Sequence, residues 1–343
     1  MHLQAERSTA CWRNREQSLE QFCLTKNHIA MKRTFATIVG LIVVTSAATA
    51  QSVYINELLT NPNGSDSTAT AGNEYFELRG TANMSLAGYY LISLEGQGTT
   101  ARGDVNQFFD LGSFSLGANG YLFARQNFSP YTTTTPGATV IQNTAGQGWG
   151  LTGASTVGHS GDGTQVDLEN SATTILLVNR GSGVAPTLTL DMDANDDGTL
   201  EIPTGWTIVD SVGIMDGASG AATDFTYGII NFRAAYPAGN YLGTSAYGNI
   251  IDVPGAPPTS AGAFYVARKY ESTGSTSADW FAANLNGSAS DAVNIPFSYS
   301  TDPAAVGMKL SDMNFGGINP IPEPSAVALF ALASLGCLAR RKG

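Results

Sequence analysis

The chain has 343 residues, a formal net charge of −11, three cysteines and three histidines. Cys11, Cys23, Cys337, His2 and His28 all lie outside residues 51–321, so His159 stands alone there; disulfide frameworks, thiolate or His-rich metal sites and cysteine nucleophiles are excluded from that body. The same region holds 8 Lys and Arg against 24 Asp and Glu, a charge of −16 that repels nucleic acid and anionic lipid.

Residues 1–30 are charged and lack apolar periodicity, and they read as a start codon placed too early or as a disordered leader. Residues 31–50 read as a secretory signal peptide. Lys32 and Arg33 form its positive region, and Phe35 to Val44 its apolar helix. Ala48-Thr49-Ala50 is the small-residue site for signal peptidase, leaving Gln51 as the first mature residue. About ten apolar residues are too few to span a bilayer, which takes roughly 20.

Between 51 and 290 the sequence predicts an all-β domain. Short β-rich runs recur at 53–58, 74–79, 89–94, 107–111, 121–124, 173–178, 207–212, 225–229 and 263–268, separated by Gly, Asn, Asp and Ser. Many short strands with frequent turns indicate an antiparallel sandwich or barrel. The adjacent aromatics Tyr75 and Phe76 are expected on opposite faces of the pleat. Trp206 and Trp280 are expected in the core, with carbohydrate contact as the alternative use of Trp149, Trp206 and Trp280 if they face solvent.

The order Val53–Leu58, Asn61-Pro62, Glu74–Leu78, Ser85–Leu91, Gly120–Phe123, Ile175–Val178 and Val209–Val212 resembles a lamin-tail-like domain, with long insertions at 126–170 and 180–205. The resemblance implies an immunoglobulin-like antiparallel β-sandwich of the kind found in secreted bacterial proteins. It gives Asn56 and Glu57 a structural role, satisfying backbone donors of the loop that ends near Glu74.

Residues 193–201 pattern as a calcium loop. Asp193, Asn195, Asp197 and Glu201 stand at positions 1, 3, 5 and 9, Gly198 at the turn, and Thr199 where a backbone carbonyl is required. Position 12 is Thr204 rather than a bidentate Glu, so a solvated acidic turn is the competing reading of this Ca2+ site. Gly158-His159-Ser160-Gly161-Asp162-Gly163 has the outline of a nucleophile loop, but residues 51–321 hold no second histidine to take a serine proton. No catalytic residue is assigned, and the chain is expected not to be an enzyme.

Residues 291–320 read as a linker. After it come Pro322-Glu323-Pro324, an apolar run from Ala326 to Ala339, and Arg340-Arg341-Lys342. About 14 apolar residues make a short hydrophobic helix that stops transiently in a membrane, with the basic cluster held on the cytoplasmic side. This tail resembles the PEP-CTERM sorting signal of Gram-negative bacteria. The resemblance implies an exosortase as partner, cleavage near Pro322-Glu323-Pro324, transient inner-membrane anchoring and delivery to the cell surface or extracellular matrix. The expected function is therefore structural or adhesive, within biofilm or exopolysaccharide. The alternatives are a carbohydrate-binding module and an accessory domain of a secreted hydrolase.

Overall fold

The computed structural model describes residues 52–320, apart from 61, 63–65, 100, 171, 216–220, 235–241, 254–263, 286–292 and 295. Among these residues the chain is all-β, with three short 3-10 turns and no α-helix. The expected signal helix and C-terminal hydrophobic helix lie outside them.

The first sheet has seven strands. Its centre is β1 (Val53–Leu59), flanked by β2 (Tyr75–Gly80), which leads to β5 (Tyr121–Arg125) and β6 (Thr139–Gln142). On the other side of β1 lie β14 (Phe264–Arg268), β15 (Trp280–Leu285) and β16 (Phe297–Ser300). The second sheet, also of seven strands, runs β13 (Ile250–Val253), β11 (Ile230–Ala234), β9 (Thr207–Met215), β8 (Thr173–Asn179), β3 (Tyr89–Glu95), β4 (Val105–Asp110) and β7 (His159–Gly161).

One apolar core is built from both sheets. Val53, Ile55, Phe76, Leu78 and Leu122 come from the first, and Leu91, Phe109, Ile175, Leu177, Val212 and Phe232 from the second. The alternation of β1 changes parity at a bulge between Ile55 and Glu57. Before it Val53 and Ile55 face this core; after it Leu58 does, and Leu59 turns to the opposite face. Tyr75 and Phe76 do point to opposite faces, Phe76 into the shared core and Tyr75 into a second cluster.

Both outer faces are covered as well. Leu59, Tyr75, Phe123, Tyr265 and Phe281 lie under Leu310, Met313 and Phe315 of the last described segment. On the second sheet Tyr90, Ile92, Leu94, Leu176 and Val178 lie under Met192, Leu200 and Trp206. Strands buried on two faces read as apolar runs instead of alternating ones, which is the pattern of 173–178.

Two expectations are corrected. The sheets are not purely antiparallel: β5 with β6, β9 with β11 and β11 with β13 pair parallel. Across β9, β11 and β13 the chain returns beside itself, Val212 against Ile230 and Asn231 against Ile250, and β10 (Phe225–Thr226) pairs parallel with β12 (Thr244–Ser245). This stretch winds like the rungs of a β-solenoid. Asn231 is fully buried there, and its amide donates to the Gly228 and Gly248 carbonyls and the Ser245 hydroxyl. The second correction concerns 291–320. Within that range Phe297, Ala305, Leu310, Met313, Phe315 and Asn319 are buried, so a packed strap replaces the expected linker.

Candidate functional site

The loop 193–201 folds around the side chain that opens it. Asp193 is buried, and its Oδ1 accepts from the Asp197 N–H at 3.0 Å. Its Oδ2 accepts from the Gly198 N–H at 3.0 Å and from the Tyr227 hydroxyl at 2.6 Å. Asn195 Oδ1 accepts from Asp197 N–H, Asp197 Oδ1 from Thr199 N–H, and Glu201 Oε2 from Ala194 N–H. Gly198 turns at φ +85°, and a Cβ there would meet the Phe225 ring at 2.8 Å. Asp193, Asp197 and Glu201 each bring a carboxylate oxygen within 4.8 Å of the others. Hard oxygens so gathered suit Ca2+. Thr204, at the twelfth position, instead belongs to the neighbouring turn, where its carbonyl packs on Gly183.

A second polar assembly sits under the strap. Glu57 and Glu77 are fully buried, and the Tyr75 hydroxyl donates to Glu57. Asn56 Nδ2 donates to Glu77 Oε1 at 2.6 Å, and the Gly316 N–H donates to Glu77 Oε2. Burial pushes the Glu57 carboxyl up to about 7, against the opposing hydrogen bonds of Tyr75, Tyr265 and Asn319. Glu77 is also held well above the ordinary range, by burial and by the nearness of Glu57. Asn56 and Glu57 are thus structural, as expected, but they serve side chains of the strand network rather than the loop before Glu74. Glu74 itself ties down three later segments: its Oε2 accepts from Gln126 Nε2, Trp149 Nε1 and the Leu168 N–H, each at 2.7 Å.

His159 is buried on β7. Its Nδ1 lies 2.7 Å from the Gly150 carbonyl and its Nε2 3.2 Å from Gln107 Oε1, and burial pushes its pKa down to about 4. Both ring nitrogens are engaged within the fold, so the Ser160 neighbourhood holds no imidazole directed at it. Trp149, Trp206 and Trp280 are all buried, with indole N–H groups on Glu74, the Val184 carbonyl and the Gly274 carbonyl. None offers a ring to a sugar.

The sorting residues Pro322, Glu323, Pro324, Arg340, Arg341 and Lys342, and the cleavage residues Ala48, Ala50 and Gln51, lie outside the described residues. Residues 320–342 match the family model of the PEP-CTERM protein-sorting motif. No curated protein and no solved structure matches the chain. The motif implies an exported protein, processed by an exosortase and located at the cell surface or outside the cell.

Proposed function

We propose that this protein is a structural or adhesive component of the extracellular matrix or outer surface of a Gram-negative bacterium, held transiently at the inner membrane through its C-terminal segment before release. The observation that carries the reading is the sorting motif at 320–342, joined without a spacer to a β body whose most deeply buried acids are tied up in internal hydrogen bonds. The lamin-tail-like assignment belongs to the same proposal. What supports it is the succession β1, β2, β3, β5, β8 and β9 at the places its motifs mark.

Calcium binding at Asp193, Asn195, Asp197, Thr199 and Glu201 is part of the reading. The convergence of three carboxylates on a Gly-turned loop favours it. A hydrolase role has no comparable support.

Cell fractionation with intact-mass measurement tests the proposal. The expected product lies outside the cytoplasm, starts at Gln51 and ends near Pro322. Full-length chain, soluble in the cytoplasm and carrying both termini, would refute it.

A further inference from the structure

Two described arginines have buried side chains, and they are not alike. Arg268 is 1% exposed and paired with Asp210 at 2.7 Å. Arg79 is 9% exposed, and among the described residues no carboxylate forms an ion pair with it. Its Nη2 donates to the Ser272 carbonyl, the Tyr121 hydroxyl lies beside it, and its Nε–H is covered without an acceptor. Burial lowers its pKa and Arg268 adds repulsion, opposed by the attraction of Tyr121 and of Glu271. Glu271 attracts the guanidinium without a direct ion pair, and a buried donor left without an acceptor is costly.

Arg79 lines a cleft of about 280 Å3. The cleft lies where β1, β2 and β5 run side by side, with Tyr54, Arg79 and Tyr121 in cross-strand register. Residues on directly opposed positions share one face of a sheet, so the guanidinium stands between two tyrosines. Thr81 and Glu271 also line the cleft. Its volume is at the low end for small-molecule sites, which run from roughly 300 Å3, and is sized for about one sugar ring.

We propose that this cleft binds an acidic sugar unit, a uronate of an extracellular polysaccharide. The inference rests on the matrix reading above and names a ligand class for it. A uronate carboxylate would supply the charge-assisted acceptor that Arg79 Nε–H lacks. The apolar face of the ring would pack on the tyrosines, and its hydroxyls would donate to Glu271. A peptide terminus or a free phosphate shares only the negative charge.

The test is calorimetric titration of the processed, exported protein with trigalacturonate, galactotriose, acetate and inorganic phosphate. Trigalacturonate is expected to bind at least about tenfold more tightly than any of the other three, a difference of about 1.4 kcal/mol. Arg79→Gln and Tyr54→Ala should each weaken it by a similar factor. Since Arg79→Gln removes a buried group, NMR of the wild-type protein provides the second measurement, with trigalacturonate shifting the Tyr54 and Tyr121 ring signals. Equal binding of galactotriose, phosphate binding as tight as trigalacturonate, or shifts that spare both rings would overturn the proposal. A protein that ignores uronate yet is processed and found outside the cell would sink this inference and leave the export reading standing.

Discussion

Arg268 on β14 and Asp210 on β9 belong to different sheets, and their side chains meet at 2.7 Å with almost no exposure to solvent. Both also reach the backbone of one residue, Ile55. Arg268 Nε donates to the Ile55 carbonyl at 2.8 Å, and Asp210 Oδ2 accepts from the Ile55 N–H at 2.9 Å. Ile55 stands at the β1 bulge, where the backbone ladder to β14 has not yet begun. The ion pair thus takes the place of missing ladder bonds and ties the two sheets together. The Arg268 guanidinium also lies 4.3 Å from the Trp280 ring centroid, which covers its flat face.

Removing one partner leaves the other charge buried and one Ile55 backbone group without its bond, the carbonyl when Arg268 is lost and the N–H when Asp210 is lost. Arg268→Ala or Asp210→Ala should each lower unfolding stability by about 3–5 kcal/mol, read from urea denaturation midpoints. The double variant Arg268→Ala/Asp210→Ala should lose less than the sum of the two. Additive losses would mean that the pair is not a unit.

The buried acids make stability depend on pH. An unfolded glutamic acid releases its proton near 4.5, whereas folded Glu57 keeps it up to about 7. In that interval the folded state binds more protons, so the contribution is fully present below about 4.5 and is lost as pH rises through about 7. Glu74 and Glu77, both raised, act in the same direction. His159, lowered to about 4, acts oppositely, losing stability as pH falls below its ordinary 6.5. Three raised acids stand against one lowered histidine, so the melting temperature should fall as pH rises from about 4.5 to about 7. Glu57→Gln should flatten that slope; an unchanged slope would remove Glu57 from the account.

The strands that reach the shared core were legible because their apolar residues cluster between turn residues. Val53–Leu58 corresponds to β1 and Tyr89–Leu94 to β3, each one residue short. What stayed hidden has physical causes. β15 (Trp-Phe-Ala-Ala-Asn-Leu) is buried on both faces and carries small residues, so it has no period of two. The parallel rungs β9, β11 and β13 depend on contacts between distant segments that no local pattern encodes. The strap at 296–320 looked like a linker because its buried residues are spread among Gly, Asp and Pro. The acidic loop at 193–201 was visible as a motif, but nothing local indicated that Tyr227 would close on Asp193. Arg79 was invisible as a site: its meaning lies in lacking the direct ion pair that Arg268 has.

If the 193–201 loop holds calcium, a ligand bound only by the folded state raises its melting temperature. Millimolar Ca2+ should give a shift of a few degrees that disappears in Asp197→Ala, whose side chain is exposed and whose loss should spare the fold. Mg2+ should do less, because it demands tighter octahedral geometry than this loop's spread oxygens provide. An equal shift with Mg2+, or one that survives Asp197→Ala, would assign the effect to the general acidity of the surface.

The strap should be the most consequential segment for folding near the sorting motif. Phe315 packs against Tyr75, Phe123 and Tyr131 at centroid distances of 5.3, 5.1 and 5.2 Å. Its backbone carbonyl accepts from Thr135, and the next residue, Gly316, bonds Glu77. Gly316 has φ +75°, and a Cβ there would meet Ala138 Cβ at 2.6 Å. Phe315→Ala should therefore cost about 3–5 kcal/mol through the cavity it leaves. Gly316→Ala should cost more than about 1 kcal/mol through strain, by contrast with the gain that Gly→Ala gives where φ is ordinary. Both should increase protease cutting after residue 295 and binding of a hydrophobic dye, since a loosened strap uncovers Tyr75, Phe123 and Tyr265. Because Asn319 is itself buried and the matched sorting motif begins at residue 320, the same variants should also alter how much chain is processed. Unchanged processing in a destabilised Phe315→Ala protein would separate the strap's packing role from presentation of the motif.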